Sequence, residues 1–278
     1  MVRQLLRFLR VRDWFYFLPL PVLSCAPDAS HLLRLVAGVG VAACCLAFAY
    51  GWNNLRDAQL DHSRGKNPLA GGVASDGVPY LAVLFSLAAV ALAGAALLGP
   101  VPSLAAGIQL VGAALYSGGP RIKRIPVVGT LTNLWIFCPL AFLCQGSLPW
   151  VPGLWVLTGL FSLVLVQNQL LHEAMDHDED LADGVRTTAA ILGPRFTAVV
   201  SGVLGLTAGV VIGWLGMSSD VPLLFAGAAF PVSIFSLAIV LRPAGGAPAR
   251  RRRTQRAVGM LTCGLIWVFY VIAPAVWG

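Results

Sequence analysis

The chain has 278 residues, 58% of them hydrophobic and 11% charged, with a formal net charge of +7. Its mean hydropathy of +0.79 excludes a water-soluble domain of this size, and long apolar runs place it among helical membrane proteins. The positive charge does not point to nucleic acid, because the basic residues stand at the ends of apolar segments, where they orient a membrane protein.

Nine apolar spans are predicted, at about 13–27, 32–54, 78–99, 102–119, 126–146, 150–171, 190–215, 221–241 and 257–277. The expected fold is an all-α integral membrane protein, one nine-helix domain over residues 1–278. Pro19, Pro21, Pro139, Pro231 and Pro274 are expected to kink or shorten their helices. Basic Met1–Arg12 followed by apolar Trp14–Cys25 has the outline of a secretory signal. The spans that follow, and a charge distribution that needs this one, favour its retention. Cys25, Cys44, Cys45, Cys138, Cys144 and Cys263 lie in or beside apolar runs without paired metal spacing, and read as small buried hydrophobes.

Charge sidedness tests the span count. With the N-terminus in the cytoplasm, the connections after spans two, four, six and eight are cytoplasmic too. They carry Arg56, Arg64 and Lys66, then Arg121, Lys123 and Arg124, then Arg186 and Arg195, and finally Arg242, Arg250–Arg253 and Arg256. Every Lys and Arg except Arg34 then falls on one side, as the positive-inside rule requires. The Arg250–Arg253 run is read as a topology anchor that also attracts anionic headgroups.

Half of the twelve acidic residues crowd into Gln167–Thr188, at the end of span six: Glu173, Asp176, Asp178, Glu179, Asp180 and Asp183. This stretch has an echo. Asp57 and Asp176, Asp61 and Asp180, and Gly65 and Gly184 each stand 119 positions apart, with Asn54 in the slot of Glu173. Residues at i, i+3 and i+7 share one helix face, so each copy projects a row of three oxygen-bearing side chains. Two such rows, both at cytoplasmic ends, would suit Mg²⁺ bound together with a diphosphate. Asp176-x-Asp178-x-Asp180 is not a calcium loop, since Leu181 replaces the required glycine and Thr187 the final glutamate. His172-Glu173-Ala174-Met175-Asp176-His177 is not a zinc-protease motif either, since its second histidine comes one place late.

With these motifs in place, the chain resembles the UbiA superfamily of intramembrane prenyltransferases. The resemblance rests on Asn53-Asn54-x-x-Asp57-x-x-x-Asp61 and Glu173-x-x-Asp176-x-x-x-Asp180, the latter followed by Gly184–Thr188 and Leu192-Gly193. Leu115–Arg124 resembles the family's tyrosine–basic loop, and Arg12-Asp13-Trp14 with Phe15–Pro21 its first helix. The resemblance implies Mg²⁺-dependent ionisation of an isoprenyl diphosphate at a site facing the cytoplasm, with capture of the allylic cation by an aromatic or lipid acceptor. It also implies roles. Asn53, Asp57, Asp61, Asp176 and Asp180 would ligate Mg²⁺, with Asn54 and Glu173 as further ligands. Arg64, Lys66, Arg121, Lys123 and Arg186 would bind the diphosphate, and Tyr116 would stabilise the cation or place the leaving group. The sequence departs from the family pattern at Asn54, Glu173 and Pro120.

Two rival functions are distinguishable. A terpene cyclase on the same scaffold would ionise the same diphosphate and close the cation on its own chain. A transporter would carry charge at mid-membrane depth, and no charged residue lies near the centre of any span.

Overall fold

The computed structural model describes residues 2–24, 31–59, 67–70, 77–119, 121–146, 152–182 and 184–217. Spans eight and nine lie outside the described residues, as do Asp61, Arg64, Lys66, Gly65, Pro120 and Arg250–Arg253. Among the described residues the structure is helical throughout, with short 3-10 turns and no strand. The helices are α1 (Val2–Phe8), α2 (Val11–Trp14), α3 (Leu32–Asp57), α4 (Gly77–Leu98), α5 (Pro100–Ser117), α6 (Val128–Phe137), α7 (Pro152–Ala182), α8 (Thr188–Leu192) and α9 (Pro194–Met217).

These helices do not map one to one onto the apolar spans. The first span is divided into α2 and two 3-10 turns, Phe15–Phe17 and Leu20–Ser24, because Pro19 and Pro21 lack the amide hydrogens a longer helix needs. The fifth passes from α6 into a 3-10 turn, Cys138–Phe142, at Pro139. The seventh, expected unbroken over 190–215, is cut between α8 and α9 at Gly193, whose φ of +79° favours glycine, followed by Pro194. Three described segments are long and apolar enough to cross a membrane: Leu32–Asp57, Pro79–Leu98 and Pro194–Trp214.

The chain divides into two compact units, Met1–Ile122 with Trp135–Trp150, and Lys123–Leu134 with Val151–Gly278. In the first, α3 packs against α4 and α5 around Val41, Ala42, Cys45 and Leu46. Gly51 allows a close approach: a Cβ there would stand 2.7 Å from Leu84 Cδ2 of α4. Arg34, the one base outside the charge rule, has a structural use. Its guanidinium donates to the carbonyls of Leu98, Cys144 and Gln145, which end α4 and the turn after α6.

In the second unit α7 packs along α9, with Val164 against Ala208 and Ser201 Oγ donating to the Gln167 carbonyl at 2.8 Å. The α7 helix has 31 residues. At about 1.5 Å per residue it is roughly 46 Å long, and its acidic residues gather on its final turns.

Candidate active site

Of the first acidic row, Asn54 and Asp57 sit on the last turn of α3, which ends at Asp57, while Asp61 lies outside the described residues. Asn54 is 2% exposed, and Asn53 and Asp57 are half-buried. Asn54 Nδ2 donates to the Phe8 carbonyl at 2.7 Å, and Asn67 Nδ2 donates to the Asn54 backbone carbonyl at 2.8 Å. The Phe8 ring packs on Tyr80 with centroids 4.4 Å apart. The ends of α1 and α3 and the start of α4 are thereby joined beside the row.

Arg121 reaches the same end: Nη2 donates to the Arg56 carbonyl at 3.4 Å, a long bond at an exposed position. Its φ of +46° is left-handed, a region a non-glycine residue adopts at a cost of about 1–2 kcal/mol. Tyr116 is half-buried on the last turn of α5, next to buried Ser117. Trp52 Nε1 donates to the Ala114 carbonyl at 3.3 Å, linking α3 to that turn, and the Arg56 guanidinium lies 5.7 Å from the Trp52 ring centre.

One group in this unit escaped the sequence reading. Arg10, counted there only as an orienting charge, has φ +51° and donates through Nε to Asp13 at 2.7 Å. Its guanidinium stands 5.5 Å from the centre of the Tyr50 ring. Tyr50 precedes Asn54 and Asp57 at the spacing of a common helix face. The Arg-x-x-Asp spacing was visible in the sequence, but nothing there connected it to Tyr50.

The second row lies on the final turns of α7, which stays helical to Ala182. A calcium loop could not begin inside this helix. Glu173 is 7% exposed, Asp176 5%, and Asp180 half-buried, whereas Asp178 is exposed. Asp176 Oδ2 lies 3.0 Å from His172 Nδ1, one turn earlier, while His177 turns to Asp178 at 3.1 Å. Helix α7 closes with Gly184 at φ +66°: the Gly184 N–H donates to the Leu181 carbonyl at 3.2 Å and the Val185 N–H to that of Asp180 at 2.7 Å. The glycine that ends the motif therefore ends the helix. Arg186 is exposed just beyond it, and Lys123 and Arg124 are half-buried.

Glu173 is held on all sides. Thr130 Oγ1 donates to Oε1 at 2.7 Å, Gln169 Nε2 to the same oxygen at 3.2 Å, and the Thr188 N–H to Oε2 at 2.9 Å. Thr130 was not singled out in the sequence, since a lone threonine in an apolar run gives no local signal. Among the described residues no three His, Cys, Asp or Glu side chains gather closely enough to hold a metal ion by themselves. Magnesium does not need such a cage. It takes one or two carboxylates and completes its shell with substrate phosphate and water, and the carboxylates of Asp176 and Asp180 on α7, like that of Asp57 on α3, are each oxygen donors of that kind.

Solved structures with this fold are known. A UbiA homologue from Archaeoglobus fulgidus, bound to GPP and Mg²⁺, superposes with a TM-score of 0.75 at 18% identity, covering 96% of this chain and 99% of the other. An apo UbiA homologue from Aeropyrum pernix K1 gives 0.70 at 19% identity, covering 95% and 99%. At such identities the likeness establishes the fold alone. Among curated proteins, the digeranylgeranylglyceryl phosphate synthase of Methanoculleus marisnigri is 29% identical over 154 residues. That match spans about half of each chain, 53% of this one and 53% of the relative. The model of the UbiA prenyltransferase family matches residues 16–265, and the chain belongs to that family.

Proposed function

We propose that this protein is a Mg²⁺-dependent intramembrane prenyltransferase that takes an isoprenyl diphosphate as donor and an aromatic or lipid molecule as acceptor. The observation that carries the reading is the buried acidic face at the end of α7, in a chain of the UbiA family. Support also comes from the Archaeoglobus fulgidus homologue, which is bound to GPP and Mg²⁺ in one structure and to DMAPP and Mg²⁺ in another. The proposed topology has nine spans, with the N-terminus and both acidic ends on the cytoplasmic side.

Asp57, Asp61, Asp176 and Asp180 are the proposed Mg²⁺ ligands, with Asn53 contributing its carbonyl oxygen. The bound metal supplies charge that neutralises the diphosphate as the C–O bond breaks. Arg64, Lys66, Arg121, Lys123 and Arg186 are proposed to bind the diphosphate oxygens. Their fixed positive charge stabilises the leaving group most when the bond is nearly broken, which is where it lowers the barrier. Tyr116 is proposed to offer its ring face to the allylic cation. The acceptor then donates an electron pair to that cation and releases a proton.

The test is direct. Purified protein is incubated with Mg²⁺ and prenyl diphosphates of several lengths, with and without candidate acceptors, and extracts are read by mass spectrometry. An acceptor-dependent adduct is expected, lost in Asp57→Ala and Asp176→Ala. A hydrocarbon or terpene alcohol formed without acceptor would identify a cyclase. Donors of every length left intact would overturn the enzyme reading, and turnover surviving both substitutions would overturn the ligand assignment.

A further inference from the structure

Glu173 stands where three elements of the second unit meet. Thr130 has one hydroxyl hydrogen, and it goes to Glu173 Oε1. The 2.6 Å contact between the Thr130 and Thr188 hydroxyls must therefore be donated by Thr188. Thr188 Oγ1 in turn accepts from the Val127 N–H at 2.9 Å. Every hydrogen in this chain points toward the carboxylate, from the Val127 backbone through Thr188 and Thr130. The Thr188 N–H and the Gln169 amide add two more donors. Val127 has φ +63°, a strained conformation for a β-branched residue, and such strain persists only where surrounding bonds hold it.

We infer that Glu173 is a positioning residue rather than a Mg²⁺ ligand. It fastens α7, one turn before Asp176, to the start of α6 through Thr130 and to the start of α8 through Thr188. It thereby fixes the placement of Asp176 and Asp180 and of the Gly184–Thr187 segment that carries Arg186. One property separates it from a ligand: its oxygens already face three donors whose hydrogens would repel an approaching cation. A carboxylate that orients neighbouring ligands in this way acts on a metal without touching it. The inference rests on the proposed metal–diphosphate role of the acidic row.

The experiment uses the full chain in nanodiscs and calorimetry of Mg²⁺-dependent binding of inorganic pyrophosphate, independent of turnover. Thr130→Val preserves shape and removes the donor, whereas Thr130→Ser keeps it. Glu173→Gln and Thr130→Val are each expected to weaken binding by about tenfold, the usual scale for an outer partner of a metal ligand. Thr130→Ser is expected to bind as the parent does. The Thr130→Val/Glu173→Gln pair should weaken binding by less than the product of the two single effects, because both changes act on one hydrogen-bond network.

Binding lost in Glu173→Gln but intact in Thr130→Val would make Glu173 a ligand and overturn the inference. Parental binding in both variants would overturn it as well. If Glu173→Gln does not fold, the contrast between Thr130→Val and Thr130→Ser decides alone. Asp176→Asn serves as the separate control: parental binding there would remove the metal reading itself, whatever Glu173 does.

Discussion

The two acidic helix ends share a motif and differ in how they are mounted. At the end of α3 the slot before the first aspartate holds Asn54, which gives a hydrogen to the Phe8 carbonyl. At the end of α7 the same slot holds Glu173, which receives hydrogens from Thr130, Gln169 and Thr188. Both side chains are buried, at 2% and 7% exposure, but their hydrogen-bonding polarity is opposite. The neighbours explain why. Phe8 is the last residue of α1, and helix C-termini leave carbonyls that need donors. Thr188 is the first residue of α8, and helix N-termini leave N–H groups that need acceptors. An asparagine can donate and a carboxylate cannot, so each residue suits the helix end it faces. The apparent departure from the family pattern at Asn54 is thus accounted for by local hydrogen bonding.

Exchanging that polarity has the largest expected effect. Asn54→Asp would set a carboxylate against the Phe8 carbonyl with no hydrogen between them. A buried polar group left unsatisfied costs about 1–3 kcal/mol, and more when charged. We expect a clear fall in the thermal midpoint of the purified protein in the absence of metal. Asn54→Gln keeps the donor on a longer arm and should fall less. Equal stability of Asn54→Asp and the parent would break the comparison, because the slot would then be indifferent to polarity.

The sequence made the rows legible and left their mounting hidden, for a physical reason. A helix face follows from spacing alone, so Glu173, Asp176 and Asp180 could be grouped, and exposed Asp178 set apart, without coordinates. Proline breaks were equally local, as at Pro139 and Pro19. The cut at Gly193-Pro194 carried its signal too, a glycine at a helix end and a proline at the next start, although the apolar run across it suggested one span. The partners of Glu173 are another matter. Thr130 lies in a different apolar run, and no periodicity relates its hydroxyl to a carboxylate that only folding brings near. Arg34 is a similar case: charge counting marked it as an exception, and only the carbonyls of Leu98, Cys144 and Gln145 account for it.

A second way to sharpen the comparison is to disturb how α7 ends. Gly184 sits at φ +66° with open space around the position a Cβ would take. Gly184→Ala therefore tests backbone conformation without a clash, and a left-handed alanine costs about 1–2 kcal/mol. Gly184→Asn should cost less, since asparagine tolerates this region better. The measurement is again the metal-free thermal midpoint, with parent above Asn above Ala. A reversed order would show that the glycine does not serve to end α7.

The smallest effect on stability is expected at the exposed contact between Arg121 and the end of α3. A 3.4 Å hydrogen bond in solvent is weak, and surface substitutions of this kind usually change stability by no more than about 0.5 kcal/mol. Arg121→Ala should therefore leave the thermal midpoint almost unmoved. Its φ of +46° even allows Arg121→Gly to raise stability slightly, since glycine adopts that region without the steric cost. Binding of Mg²⁺-pyrophosphate should behave differently. If Arg121 supplies charge to the diphosphate, both substitutions weaken binding to the same degree while stability stays flat or rises in the glycine variant. Strain kept at a residue with so little structural return is most simply explained by a role for its side chain in binding. Unchanged pyrophosphate affinity in both variants would leave Arg121 as an orienting charge and shift the diphosphate role in this loop to Lys123.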